Sequence, residues 1–219
     1  MSEYEEIAQG LAGLHLGKAA DAAGVFPEML KIGDWATEDM TRLINDMITK
    51  GEIPTAWTRA MIIPLYKHKG DAAVASNYRA IVITDIISKV FTRAVYTILN
   101  QELDPKLSES QAGFRQKRSL TDHVFVMRQL MEAAREFDQP LYTAFIDIAK
   151  AYDGIPREAL LAVLRRYGIS DRVCHLITLL YRKTSAKVRV GSDESEVFDI
   201  ESGVKQGCIL STLLFINLH

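Results

Sequence analysis

Apolar side chains recur every three or four residues along most of the chain, which is the spacing of an amphipathic helix. In the first such segment, Ile7, Leu11 and Leu14 share one face. Thr37 and Ser119 stand where an N-cap would begin two of the later segments. The pattern predicts helices over residues 5–16, 36–50, 85–103, 119–137, 156–167 and 171–183, and the start of another within 208–219.

Strand-like runs are shorter than the helical segments. In the first, residues 60–66, Pro64 indicates an edge position or a bulge because proline cannot donate to a ladder. A short strand is predicted at 80–83. The run 141–146 is continuously apolar, which is typical of a central strand covered on both faces. Residues 186–200 alternate around a turn at 191–195 and predict a β-hairpin. This mixture predicts an α+β or α/β protein, and we take α+β as the expectation.

The composition is that of an ordinary globular protein. The 219 residues are 48% hydrophobic and 25% charged, with a formal net charge of −2. The two cysteines and five histidines show neither disulfide nor metal-ligand spacing. The acidic start does not resemble a signal peptide, and no run of 18 apolar residues occurs. We therefore expect an intracellular protein of the nucleus or the cytoplasm, with no membrane partner.

Charge is unevenly distributed along the chain. Residues 1–58 carry 4 basic and 10 acidic side chains, whereas residues 59–93 carry 6 basic and 2 acidic ones, a net charge of +4. Arg115, Lys117 and Arg118 form a second basic cluster with no acid among them. A near-neutral total can thus hide a basic groove that binds phosphates. The alternative is that these are solvated loop charges.

Two carboxylates near the third apolar run could take part in metal chemistry. Asp147 follows the predicted buried strand, and Asp153 lies six residues later, just before Pro156 opens a helix. Two-metal phosphoryl transfer needs at least two carboxylates that project to one spot. From the spacing alone, the alternatives remain open: Asp147 as a turn residue at the end of a strand, and Asp153 as a helix cap.

Two glycine-containing segments are further candidates for ligand binding. In the segment from Gly203 to Gly207, two glycines bracket polar residues just before a predicted helix, which lets the backbone approach a ligand closely. A plain loop between hairpin and helix explains the same pattern. In the segment from Gly113 to Arg118, basic residues flank an aromatic one, which suits backbone phosphates and base stacking.

Taken together and in this order, these segments resemble the reverse transcriptases of non-LTR (LINE-like) retrotransposons. The resemblance covers nearly the whole chain, from about Ile7 to Leu218. It is carried by GKAADAAGVFPEMLK (17–31), IPTAW (53–57), SNYRAIVITDIISKVF (76–91), LSESQAGFRQKRSLTDH (107–123), FIDIAKAYDGIPREAL (145–160), VRVG (188–191) and SGVKQGCILSTLLF (202–215).

The resemblance implies an RNA-directed DNA polymerase with the right-hand fold of fingers, palm and thumb. It implies an N-terminal helical extension of the fingers over residues 1–58, fingers with the start of the palm over 59–139, and a partial palm over 140–219. RNA template, DNA primer and deoxynucleoside triphosphates are the implied partners, together with the rest of a retrotransposon polyprotein, including thumb and endonuclease.

The resemblance also assigns roles at the predicted palm. Asp147 matches the first metal-binding carboxylate of this family, and Ile148 matches a carbonyl ligand to the metal. Tyr152 matches the aromatic gate that excludes a ribose 2′-hydroxyl, the group that separates RNA from DNA precursors. Gln206 and Gly207 match the loop that positions the incoming nucleotide and the template.

Basic residues outside the palm receive roles from the same resemblance. Lys67 and Arg79 match fingers positions that hold the triphosphate, where cationic donors offset developing charge. On this interpretation the +4 segment lines the nucleotide entrance. The implied template-primer contacts are Gly113, Phe114, Arg115 and Arg118.

The sequence departs from the family pattern in ways that bear on activity. The family places two further acids in a later hairpin, usually aromatic-Ala-Asp-Asp, which the chain does not contain before it ends at His219. Thr212 replaces a usual proline, and Ala80 replaces a usual glycine or proline. The family cofactor is a pair of Mg²⁺ ions, and one carboxylate cannot hold both. We therefore expect the 219 residues alone to be catalytically incomplete. The alternatives to an enzyme are a non-catalytic nucleic-acid-binding relic and a poorly folded remnant.

Overall fold

The computed structural model describes residues 3–18, 20, 21, 23–148, 151–205 and 207–216. Its helices are α1 (Glu3–Ala12), α2 (Trp35–Lys50), α3 (Thr55–Thr58), α4 (Ile86–Leu103), α5 (Leu120–Glu136), α6 (Arg157–Arg166), α7 (Asp171–Tyr181) and α8 (Ile209–Ile216). Its strands are β1 (Arg59–Tyr66), β2 (Tyr78–Ile83), β3 (Ser185–Val190), β4 (Asp193–Glu194) and β5 (Phe198–Asp199). Short 3₁₀ turns occupy Pro27–Lys31, Ala75–Asn77 and Asp104–Lys106.

The strands form a mixed sheet in the order β2-β1-β3-β4, with β5 also paired to β3. Strands β1 and β2 are antiparallel, and β1 and β3 are parallel with Arg59 opposite Ser185. The β1–β3 pairing ends at Ile62, so Pro64 lies where β1 is paired with β2 alone among the described strands. Strand β1 is therefore an inner strand, and the predicted edge position holds only locally, where Pro64 extends past the β1–β3 pairing.

Helix α4 is the centre of the hydrophobic core, in contact with α1, α7 and α8. Its residues Val90, Leu99 and Leu103 are completely buried. The Asp85 carboxylate begins the helix by accepting hydrogen bonds from the amides of Ile87 (2.9 Å) and Ser88 (3.2 Å). Packing against three helices thus adds to a strong local start signal.

The strand predicted at 141–146 is wrong for this structure. Residues 139–148 have no regular secondary structure, and Phe145 and Ile146 are about nine-tenths exposed. A strand makes no hydrogen bonds within itself, so it forms only where a neighbouring strand offers donors and acceptors. Among the described residues, no strand lies alongside this run.

Helix α5 confirms the predicted local structure but not a place in the core. The Ser119 hydroxyl accepts from the Thr121 amide at 3.1 Å, as expected for an N-cap. No residue of the helix is buried, and Val124 and Phe125 are more than three-fifths exposed. The helix is therefore held by its own hydrogen bonds and not by the packing of an apolar face.

The architecture is a mixed α/β fold with a mixed sheet. No described helix is long and apolar enough to cross a membrane.

Candidate nucleotide and nucleic-acid site

Two of the segments singled out in the sequence lie against each other. The turn at residues 151–155, which contains Tyr152, is joined to the loop at 202–205 by backbone hydrogen bonds. The Gly203 amide donates to the Ile155 carbonyl at 2.8 Å, and the Val204 amide donates to the Tyr152 carbonyl at 2.9 Å. The Ser202 hydroxyl donates to the Asp153 carbonyl at 3.1 Å. The fold therefore brings positions about 50 residues apart into one unit.

Gly203 is required by this junction. Its φ of +79° lies in the left-handed region, which side chains rarely adopt. A Cβ atom there would lie 2.7 Å from the Tyr152 carbonyl oxygen and 2.8 Å from that of Asp153. Both neighbours are backbone, so neither can turn aside as a flexible side chain would.

The Tyr152 ring is a fixed wall of the junction. It stacks on Phe215 of α8, with ring centroids 5.0 Å apart and planes inclined by 23°. The residue is half-buried, and this burial raises the pKa of its hydroxyl. Stacking on a helix that itself lies in the core restricts both side-chain torsions of the ring.

Arg157 holds the same junction from the start of α6, and sequence reasoning missed it. Its guanidinium donates to the carbonyls of Gly203 (3.2 Å) and Ser202 (3.4 Å) on the loop. It also donates to the Tyr181 carbonyl (2.9 Å) and the Thr184 hydroxyl (2.8 Å). A basic residue in the first turn of a helix is unfavourable to the helix dipole. That misplacement was the local signal that could have identified it.

Lys205 is a second residue whose role the motif did not predict. Its ammonium donates to the Trp57 carbonyl at 2.7 Å, and burial lowers the pKa of this lysine to about 8. Its backbone carbonyl accepts from the Ser211 hydroxyl at 2.6 Å, and that hydroxyl also pairs with the Tyr181 hydroxyl at 3.2 Å. Burial raises the pKa of Tyr181 above the ordinary range of a phenol. Lys205 thus fixes the loop to α3, α7 and α8.

Gly207 brings the loop close to the sheet. Its φ is +83°, and a Cβ atom there would lie 3.7 Å from the Val82 carbonyl oxygen of β2. The position predicted for Gln206 lies outside the described residues. The loop therefore passes from the Tyr152 turn to the end of β2 before α8 begins.

The two predicted triphosphate ligands lie on the β1–β2 hairpin. The Lys67 ammonium donates to the Ser76 carbonyl at 2.8 Å within the connection between the strands. Arg79 is exposed on β2, opposite Leu65 of β1. Within the described residues, no hydrogen bond joins either side chain to the Tyr152 turn or to the 202–205 loop. Their roles remain predictions.

The predicted metal position does not fit a two-ion site in the described part of the chain. Asp147 and Ile148 are exposed in the irregular 139–148 segment. No group of three His, Cys, Asp or Glu side chains among the described residues is placed to hold a metal ion. A pair of Mg²⁺ ions needs several oxygen ligands at one spot. The described residues therefore do not form the two-ion site that the resemblance implies.

In the segment from Gly113 to Arg118, Arg115 has partners of its own. The Arg115 guanidinium is buried and donates to the Asp104 carboxylate at 2.8 Å and to the carbonyls of Ser108 and Asp104. The Asp104 hydrogen bond raises the pKa of Arg115. This geometry gives Arg115 a structural role, so the template contact predicted for it stays a prediction without support from its surroundings.

Its neighbours are better placed for an external ligand. Phe114 is 61% exposed, at a φ of +61° that holds the ring away from the core. Arg118 is partly exposed and pairs with Glu109 at 2.5 Å. A solvent-facing ion pair of this kind contributes little free energy, so a ligand can replace it. Gly113 accepts from the Gln111 side chain at 3.1 Å through its carbonyl.

Comparison with known proteins gives a consistent set of relatives. Residues 66–218 match the family described as Reverse transcriptase (RNA-dependent DNA polymerase). The Transposon TX1 uncharacterized 149 kDa protein of Xenopus laevis is 24% identical over 96% of this chain and 16% of that protein. A retrovirus-related Pol polyprotein from the type-1 retrotransposable element R2 of Popillia japonica is 27% identical over 77% of this chain and 23% of that protein. The RNA-directed DNA polymerase from mobile element jockey of Drosophila melanogaster is 22% identical over 96% of this chain and 23% of that protein. The chain thus spans about a sixth to a quarter of the length of these curated relatives.

Proposed function

The chain belongs to the reverse transcriptase (RNA-dependent DNA polymerase) family, and on that premise we propose that it supplies the nucleotide- and template-binding part of a retrotransposon's RNA-directed DNA polymerase. RNA template, DNA primer and deoxynucleoside triphosphates are the proposed substrates. The rest of the polyprotein, including thumb and endonuclease, and the right-hand arrangement of fingers and palm belong to the same proposal.

The observation that carries the proposal is the junction between the Tyr152 turn and the 202–207 loop. Two backbone hydrogen bonds, the close approach at Gly203 and the Arg157 guanidinium hold these segments together. A site that positions a nucleotide must hold its walls rigidly, because small displacements of the reacting groups reduce the rate strongly. This junction is such a rigid unit, built from two of the motifs that carry the resemblance.

Within this unit we assign Tyr152 the role of a sugar gate. The ring is fixed by its stack on Phe215, so it cannot swing aside for a bulkier sugar. A 2′-hydroxyl adds a polar group that such a wall excludes by contact, and its absence defines a DNA precursor. Gly207 and Gln206 are assigned the positioning of the nucleotide and the template, the roles that the resemblance implies.

The experiment is a titration of fluorescent RNA template–DNA primer with the 219-residue protein, in a buffer containing Mg²⁺. We expect the next complementary dNTP to tighten binding at least fivefold, and the matching rNTP to do so much less. Tyr152→Val is expected to reduce this preference for dNTP over rNTP. Tyr4→Val, at a tyrosine that is 43% exposed on α1, is the matched control and should leave it unchanged.

Two results would contradict the proposal. One is a complementary dNTP that tightens binding no more than a non-complementary one. The other is a Tyr152→Val variant with the sugar preference of the unsubstituted protein. Primer extension, assayed in parallel, reports polymerisation directly. The comparisons do not favour a relic that only binds nucleic acid, and the nucleotide-dependent step separates it from an enzyme site.

A further inference from the structure

A cavity of about 410 Å³ lies between the 13–18 segment, the first turns of α4 and the start of α8. Its charged lining residues are all basic, namely Lys18, Lys89, Arg93 and Lys205, and the Lys205 ammonium already donates to the Trp57 carbonyl. No acidic residue is among the described lining residues. Such a one-sided set of charges in a concave site concentrates a positive potential.

Three carboxylates around this cavity accept hydrogen bonds from backbone amides. The Glu28 carboxylate accepts from the Gly17 amide at 2.6 Å. The Asp21 carboxylate accepts from the Ile86 amide at 2.9 Å. The Asp85 carboxylate accepts from the amides of Ile87 and Ser88. None of the three lines the cavity. Asp21 and Asp85 thus satisfy the start of the helix, and Lys18, Lys89 and Arg93 have no ion-pair partner among the described residues.

The Ser88 hydroxyl is a second, independent indication of a ligand. Ser88 lines the cavity and is only 3% exposed. Among the described residues, its hydroxyl has no hydrogen-bond partner. A buried hydroxyl without a partner is costly, and buried polar groups are nearly always paired with protein, water or ligand. Beside several cations, an anionic oxygen is the acceptor that best suits this donor.

The wall formed by residues 13–18 is held in place before any ligand binds. The Lys31 ammonium donates to the carbonyls of Ala12 (3.0 Å) and Leu14 (2.8 Å). The Arg93 side chain lies against Gly13 so closely that a Cβ atom there would be 2.1 Å from its Nε atom. Glycine at position 13 therefore sets where the Arg93 guanidinium lies.

We propose that this cavity binds a backbone phosphate of a single nucleic-acid strand. The inference rests on the proposed function and names a contact of that same substrate. The cavity shares Lys205 and Gly207 with the loop that borders the Tyr152 turn, so a strand leaving that loop reaches the cavity directly. Its apolar lining, which includes Leu14 and Ile209, accommodates a sugar or a base edge beside the phosphate.

The test compares two double variants, each of which removes one lysine and one arginine. The cavity variant, Lys89→Gln with Arg93→Gln, removes two positive charges from the cavity wall. The α2 variant, Arg42→Gln with Lys50→Gln, is the control and removes one arginine and one lysine that are both mostly exposed on α2. Fluorescence anisotropy with a single-stranded 12-nucleotide RNA, at several salt concentrations, gives the dissociation constants. Inorganic tripolyphosphate serves as a competitor that carries phosphate without a strand.

We expect the cavity variant to bind the RNA at least tenfold more weakly and the α2 variant to bind within twofold of the unsubstituted protein. Loss of the one phosphate contact should also make the salt dependence shallower by about 0.7, the contribution of a single contact on a single strand. Gly13→Ala keeps every charge but displaces Arg93, so it should weaken binding to an intermediate degree. If the double variant does not fold, Gly13→Ala serves as the test variant in its place.

Equal RNA affinities of the cavity variant and the unsubstituted protein would overturn the proposal. So would an unsubstituted protein that binds neither the RNA nor tripolyphosphate. If the protein binds tripolyphosphate but not the RNA, and this binding depends on the cavity, the ligand is a free phosphate compound and the proposal of a nucleic-acid strand is wrong. Failure of the dNTP-dependent titration, with cavity-dependent RNA binding retained, would contradict the proposed function and leave this site standing.

Discussion

Replacing Arg157 by methionine should loosen the junction that carries the proposed site. Methionine retains most of the length of the side chain and removes the guanidinium. The substitution deprives two loop carbonyls, the Tyr181 carbonyl and the Thr184 hydroxyl of their donor. It also removes a cation held 5.4 Å from the centre of the Tyr181 ring.

The magnitude follows from the geometry of these four hydrogen bonds. Two of them, at 2.8 and 2.9 Å, are short, and the two to the loop, at 3.2 and 3.4 Å, are long and weak. A hydrogen bond from a charged donor contributes about 1.5–3 kcal/mol, and half-burial places this cluster at the low end. We expect a loss of about 3 kcal/mol in the free energy of unfolding. For a protein of this size, that corresponds to a melting temperature lower by about 6–12 °C.

Circular dichroism during thermal unfolding measures this effect, with Arg128→Met as the matched control. Arg128 also lies on a helix and pairs with Glu132 at 2.8 Å, but its side chain is 75% exposed. Such a pair contributes about 0.3–0.5 kcal/mol, so the control should melt within about 2 °C of the unsubstituted protein. Equal melting temperatures for the Arg157 and Arg128 variants would refute the structural role of Arg157.

Three further predictions concern the same site and its surroundings. In urea denaturation, Gly203→Ala should destabilise the protein by at least 2 kcal/mol more than Gly191→Ala. Both glycines have a positive φ, but only Gly203 has backbone atoms within 3 Å of the added Cβ. Equal losses of stability would contradict the close approach at Gly203. Burial lowers the pKa of Lys205 to about 8, so the unfolded chain binds more protons than the folded one above that pH, and stability should rise from pH 8 to 10 by about 2 kcal/mol. Lys205→Met should abolish that rise in the same denaturation series, and a rise that persists would contradict it. Arg115→Ala should cost about 2–3 kcal/mol because it removes a buried guanidinium that bonds the Asp104 carboxylate and the carbonyls of Ser108 and Asp104. Arg118→Ala should leave stability unchanged and weaken template–primer binding. The reverse order in melting and titration would contradict both roles.

Features that depend on neighbouring residues were predictable from the sequence. The predicted cap at Ser119 acts over two residues and is confirmed. The predicted cap at Thr37 is wrong, because α2 begins at Trp35 and Thr37 lies inside it, on its buried face. The resemblance also selected Tyr152 and the Gly203–Gly207 loop, which the fold brings together. Each of these signals lies within one segment, where residue type and spacing determine the outcome.

Features that depend on distant residues were not predictable in this way. The apolar run at 141–146 predicts a buried strand, yet burial needs a neighbouring strand that periodicity cannot supply. Arg115 looks like part of a basic cluster until its partner Asp104, 11 residues earlier, is seen. The partners of Arg157 lie 24 to 46 residues away, so its unfavourable place in the first turn of α6 marks the residue but does not identify its partners.

Cross-linking a template strand to the protein tests whether the cavity and the Tyr152 junction form one template-binding site. An RNA template–DNA primer carrying 4-thiouridine in the template would be photo-cross-linked to the 219-residue protein, and the labelled peptides identified by mass spectrometry. We expect cross-links in residues 13–18, 89–93 and 202–208, which surround the cavity and the Tyr152 junction. Cross-links confined to the exposed face of α2, or an equal yield from double-stranded DNA without RNA, would contradict the central claim that these segments form one template-binding site.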